Sequence, residues 1–176
     1  YDPALESWEA RVAGLPESAD IDVIHERPDG ELWVGLWYGG VYVYDPALES
    51  WQARVAGLPE GANVDVIHER QDGELWVGLR NSGVYVYDPA LESWEARVAG
   101  LPESANIAVI HERQDRELWV GLWYGGVYVY DPALESWEKR SHFVETPDWA
   151  YHQTAEKLVV GFSQVHAMAF REDDLR

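Results

Sequence analysis

Residues able to bind or react recur in this chain at a fixed interval. His25, His68 and His111 stand 43 residues apart, and each is followed by a glutamate, Glu26, Glu69 and Glu112. Imidazole is a common metal ligand and titrates near neutral pH, so three of them gathered on one axis would make a metal site. Strand alternation sends neighbouring residues to opposite sides, so only the histidines or only the glutamates can line a central channel. A copied unit also repeats its residues whether or not they ligate, and no functional metal is expected. Asp22, Asp65 and Asp148 would ring the mouth of the same channel, but Ala108 interrupts the set and weakens a calcium reading. The chain has no cysteine, which removes thiol catalysis, disulfides and zinc–thiolate sites. No nucleophile motif, phosphate-cradling glycine loop or metalloprotease helix occurs, so the sequence points away from an enzyme and implies no cofactor.

The elements that must hold these residues follow from the repeat. YDPALESW occurs at Tyr1, Tyr44, Tyr87 and Tyr130, which divides the chain into units 1–43, 44–86 and 87–129 and a divergent 130–176. Within the second unit, Val64 to Glu69 reads as a strand and Gln71-Asp72-Gly73 as a hairpin turn. Glu74 to Leu79, Val84 to Tyr87 and Trp94 to Val98 read as three further strands. Asp88-Pro89 ends the third of these, because proline offers no amide hydrogen to the ladder. Four short strands in 43 residues is the size of one propeller blade. The repeated tryptophans, Trp33, Trp76 and Trp119 together with Trp8, Trp51, Trp94 and Trp137, are expected to be core pieces wedged within and between blades.

The residues Gly57-Leu58-Pro59, Asp72-Gly73-Glu74-Leu75-Trp76-Val77-Gly78-Leu79 and Gly83-Val84-Tyr85-Val86-Tyr87-Asp88 resemble the two-component regulator propeller repeat. Leu36, Leu79 and Leu122 stand where that family usually has Thr, and Arg116 replaces a turn glycine. The resemblance implies a β-propeller. It also implies the sensing part of a histidine kinase, although no kinase, receiver or transmembrane segment is recognised in the sequence.

Three strand triplets, 21–44, 64–87 and 107–130, are each followed by an outer strand near Trp51, Trp94 or Trp137. A fourth, decayed triplet spans 148–170 and is followed by no outer strand. The segment around Trp8 is the missing one. The expected fold is therefore all-β, a four-bladed propeller of four antiparallel strands per blade, closed by the N-terminal strand pairing with the C-terminal blade. A monomer is favoured, with a strand-exchanged dimer as the rival.

Differences between copies point to a binding face. The first and third copies differ at four positions, Asp20/Asn106, Asp22/Ala108, Pro28/Gln114 and Gly30/Arg116. The largest change in the second copy replaces Trp37-Tyr38-Gly39 by Arg80-Asn81-Ser82, between the second and third strands. In a propeller that turn and the entry to the innermost strand emerge on one face. Trp37, Tyr38, Trp123 and Tyr124, flanked by Asp20, Asn63, Asn106, Arg80 and Asn81, could stack on a ring and hydrogen-bond its hydroxyls. The simpler alternative is that the rings fold back and cover core. Thirty-two acidic against thirteen basic residues give a formal charge of −19, spread over every unit. Such a surface repels phosphate backbones and anionic lipid, so neither nucleic acid nor membrane is expected as partner. What remains is a module for a small molecule, glycan or peptide, with a recently amplified or engineered scaffold as the alternative. The chain opens at Tyr1 without Met, as a processed product or part of something longer does.

Overall fold

The computed structural model describes residues 10–140. Their twelve strands are β1 (Ile21–Glu26), β2 (Leu32–Leu36), β3 (Gly40–Asp45), β4 (Ser50–Ala53), β5 (Val64–Glu69), β6 (Leu75–Leu79), β7 (Gly83–Asp88), β8 (Ser93–Ala96), β9 (Ile107–Glu112), β10 (Leu118–Leu122), β11 (Gly126–Asp131) and β12 (Ser136–Lys139). They form three four-stranded sheets in sequence order, β1-β2-β3-β4, β5-β6-β7-β8 and β9-β10-β11-β12, every neighbour antiparallel. The 43-residue unit therefore yields one meander per copy. The fourth triplet at 148–170, the strand around Trp8 and the closure between them lie outside the described residues.

Local chemistry explains the meander. The Asp29 carboxylate accepts the Glu31 amide at 3.0 Å and the Gly30 amide bonds the Arg27 carbonyl, which folds a tight hairpin between β1 and β2. The PALES stretch is a turn and not a helix. Asp45 Oδ1 accepts the amides of Ala47 and Leu48, an arrangement repeated by Asp88 and Asp131. Arg116 holds a φ of 69° where Gly30 and Gly73 hold 89° and 88°, so the third copy places a side chain in a conformation that glycine takes without strain.

The core lies between sheets as well as within them. Trp33, Val41 and Val43 of the first sheet pack with Val64, Ile67, Val77 and Trp94 of the second. Trp76, Val84 and Val86 pack in the same way with Ile107, Ile110, Val120 and Trp137 of the third. Two glycines permit the close approach. A Cβ on Gly35 would lie 2.5 Å from Val64 Cγ1, and one on Gly78 would lie 2.4 Å from Ile107 Cγ2. Each outer-strand indole is tied to the exit of the preceding outer strand. Trp94 Nε1 donates to the Arg54 carbonyl and Trp137 Nε1 to the Arg97 carbonyl, both at 2.7 Å. Trp33 and Trp76 are 2% exposed, as core pieces should be, while Trp119 is half-buried.

Candidate functional site

The turns that differ between copies are fixed to the strand entries that also differ. The backbone amides of Trp37, Arg80 and Trp123 bond the carbonyls of Asp20, Asn63 and Asn106, at 2.8, 3.0 and 2.9 Å. The two variable segments of each sheet are thus neighbours on one edge, as expected from the sequence.

At the joint between the first and second sheets these residues form a connected cluster. Tyr38 takes a φ of 65°, and its amide donates to Asn63 Oδ1 of the next sheet at 2.8 Å. Arg80 grips Asp65 through two hydrogen bonds, Nε to Oδ2 at 3.2 Å and Nη2 to Oδ1 at 2.8 Å. The same guanidinium lies 3.8 Å from the centre of the Trp37 ring. Trp37 meets Tyr38 edge-on, with centroids 5.9 Å apart and planes at 77°. One face of the Trp37 indole is therefore occupied by Arg80, which leaves Tyr38, 68% exposed, as the ring displayed to solvent. Partial desolvation, then the Asp65 carboxylate, raises the Asp22 carboxyl above its ordinary value; Arg80 opposes the rise and Asp20 adds to it. The neighbourhood is acidic despite its one arginine.

The third sheet carries Trp123, half-buried, and Tyr124, 60% exposed, on the matching turn. At the joint that precedes it, Asn81 replaces the tyrosine with a similar φ of 62°. There Asn106 Oδ1 is buried without a hydrogen-bond partner among the described residues, unlike Asn63 Oδ1. Both joints share one backbone bridge, the Gly40 amide on the Ala62 carbonyl and the Gly83 amide on the Ala105 carbonyl, each at 3.0 Å.

The histidines and glutamates are expected on opposite sides of their strands; across the first joint one of each meets, whereas at the second His68 Nε2 is buried with no hydrogen-bond partner among the described residues. His25 Nε2 lies 3.2 Å from Glu69 Oε2 of the next sheet. Arg27 and Arg70 clamp Glu69 and Glu112 through their Nε atoms, both at 3.2 Å. Burial lowers the His68 pKa below 6.5, Glu112 opposes the shift, and His111, His25 and Arg70 reinforce it. No group of three or more His, Asp or Glu suited to a metal exists among the described residues. The His25, His68 and His111 set is therefore not brought together as ligands, and Asp65 of the channel-mouth set is taken by Arg80.

Sequence reasoning missed both clamps. Their signal was available: Arg27 and Glu69 are 42 residues apart, as are Arg70 and Glu112, one residue short of the repeat. That offset joins the end of one innermost strand to the next.

No protein-family model and no curated protein matches the chain. Similar solved structures include the extracellular domain assigned to a hybrid two-component system of B. thetaiotaomicron, with 19% identity, a TM-score of 0.56 and 68% of this chain covered. Another is YCF48 bound to the D1 peptide, with 16% identity, a TM-score of 0.51 and 67% of this chain covered. The matched parts span 16% and 38% of those two chains. At such identities the likeness is one of fold: this chain is an all-β protein of propeller-like, four-stranded sheets.

Proposed function

We propose that the chain is a non-catalytic propeller module that binds a small molecule, glycan or peptide on the edge carrying Tyr38, Asn81 and Tyr124. The observation that carries this reading is Tyr38. A large aromatic residue stands at a turn tip in the left-handed conformation, held there by Asn63, with most of its ring in water. Such a conformation costs on the order of 1–3 kcal/mol, and a soluble chain gains nothing in stability from displaying the ring.

The local charge narrows the ligand class. Asp20, Asp22 and Asp65 outnumber Arg80, whose charge is spent on Asp65 and on the Trp37 ring. A neutral polyhydroxyl compound or a peptide bearing lysine fits this field, and an anionic ligand does not. The peptide class draws support from the neighbour whose bound partner is a peptide. A second reading, the sensing part of a larger receptor, draws support from the neighbour described as an extracellular domain of a two-component system. The disk would be completed either by the four-bladed closure between the Trp8 segment and residues 148–170 or by another copy.

The test is a fluorescence titration of the whole chain with neutral oligosaccharides, a lysine-rich peptide and its glutamate counterpart. Saturable binding of one of the first two, weakened by Tyr38→Ala, is the expected result. Binding of none of them would favour a scaffold without a dedicated ligand.

A further inference from the structure

The joint between sheets is an interface used twice within one chain, and each of its halves occurs a third time. The leading half supplies an arginine whose Nε reaches a glutamate of the next sheet, Arg27 to Glu69 and Arg70 to Glu112. On the third sheet the corresponding residue is Arg113, and its Nε is buried with no hydrogen-bond partner among the described residues. The following half supplies that glutamate and two apolar residues of the innermost strand. On the second and third sheets those apolar residues are almost fully buried, Val64 at 0% and Ile67 at 7%, then Ile107 at 0% and Ile110 at 5%. On the first sheet Ile21 and Ile24 are 49% and 64% exposed, and Glu26 is exposed without a hydrogen bond or ion pair among the described residues. Arg113 Nη1 already holds Glu117 and Asp115, as Arg70 Nη1 holds Glu74 and Asp72, so among the described residues the Nε alone lacks an acceptor at one end, and Glu26 lacks a donor at the other.

The first sheet is also already fitted for a neighbour. The exit of each outer strand lies along the next outer strand, with Ala56 accepting the Trp94 amide and Ala99 the Trp137 amide, both at 2.8 Å. Residues 11–13 take that place on the first sheet. The Ala13 carbonyl accepts the Trp51 amide at 2.8 Å, and the Arg11 carbonyl accepts Trp51 Nε1 at 2.9 Å. The strand exit is present at that edge, and the sheet it belongs to is absent among the described residues.

We propose that a second copy of this chain supplies that sheet: the third sheet of one copy docks on the first sheet of the other, Arg113 taking Glu26 and the apolar strip of β9–β12 covering Ile21 and Ile24. The contact is head-to-tail, and used twice it closes a ring of two copies. Counting the described residues alone, two copies bring six sheets, inside the usual range of about four to eight blades, whereas three would bring nine. The competing occupant is the chain's own remainder, which is a poorer chemical match. In the alignment that places Gly161 on Gly35, Pro147 falls at Ile21, Ala150 at Ile24 and His152 at Glu26. Those residues offer less apolar surface, and no carboxylate for Arg113.

The experiment is the mass of the full chain in solution, by light scattering or sedimentation equilibrium at tens of micromolar. The expected mass is twice the 20.1 kDa of one chain. Ile24→Asp and Glu26→Arg change residues that are exposed in the single chain, so circular dichroism should stay unchanged while association weakens about thirtyfold or more. Adding Arg113→Glu to Glu26→Arg should restore the doubled mass. A wild-type chain that runs at 20.1 kDa throughout overturns the proposal in favour of closure by residues 141–176. A doubled mass that is indifferent to both Ile24→Asp and Glu26→Arg overturns it as well.

Discussion

Gly78→Ala is expected to be among the most costly single-methyl additions in this protein. An alanine Cβ there would stand 2.4 Å from Ile107 Cγ2 and 2.5 Å from Val66 Cγ1. Carbon atoms pack at about 3.5–4.0 Å, so the second and third sheets would have to separate by roughly 1 Å along the joint. Ile107 is fully buried and cannot swing aside without opening the contact with Trp76 and Val84. Overpacking of this kind costs about 1–3 kcal/mol, and the absence of a free direction puts the expectation near the upper end. With a urea m-value of about 2 kcal/mol/M, the unfolding midpoint should fall by about 1.5 M. Ile107→Ala removes the nearest of the clashing atoms, Cγ2, and leaves Val66 Cγ1, so it relieves part of the overlap. The double variant should therefore be less destabilised than the sum of the two single ones, by about 1 kcal/mol or more. A midpoint shift below about 0.2 M for Gly78→Ala, or strict additivity in the double variant, would refute the close-packed joint.

Arg116→Gly should raise stability by about 1 kcal/mol, because it returns a φ of 69° to the residue type that adopts it freely; thermal unfolding reads the change. His68 has a folded pKa below 6.5, so its neutral form favours the folded state. That stability is fully present above pH 6.5 and is lost as pH falls through the lowered folded value; urea midpoints between pH 7.5 and 5 should decline, and less steeply in His68→Gln. Arg80→Ala removes the guanidinium from the Trp37 face and should red-shift the tryptophan emission, at a cost of about 1 kcal/mol.

Much of the fold can be read from the repeat, because a hairpin leaves a local signature. Asp72-Gly73 and Asp88-Pro89 mark turns by their own backbone chemistry, and the strand boundaries between them move by only one or two residues. The site is legible only as to place. Copy-to-copy variation located the 37–39 and 80–82 turns, but it could not show that Arg80 from one copy would lie on Trp37 from another. That contact depends on how two sheets approach, which the glycines at 35 and 78 decide and which no single unit encodes. The same holds for Glu69, whose partners His25 and Arg27 belong to the preceding unit. Alternation along a strand predicts which side a residue faces. It does not predict which neighbouring sheet meets it there.

The claim that the variable turns form the binding face is tested most directly by exchanging them. Replacing Trp37-Tyr38-Gly39 by Arg-Asn-Ser copies the second unit's own turn into the first; it takes the Trp37 ring from Arg80 but leaves the buried apolar residues and the Arg27–Glu69 clamp of that joint in place. The lysine-rich peptide and the neutral oligosaccharides are then titrated against both proteins, followed by calorimetry. Saturable binding that weakens at least tenfold in the exchanged protein is the predicted result. Equal affinity in the two proteins would contradict it.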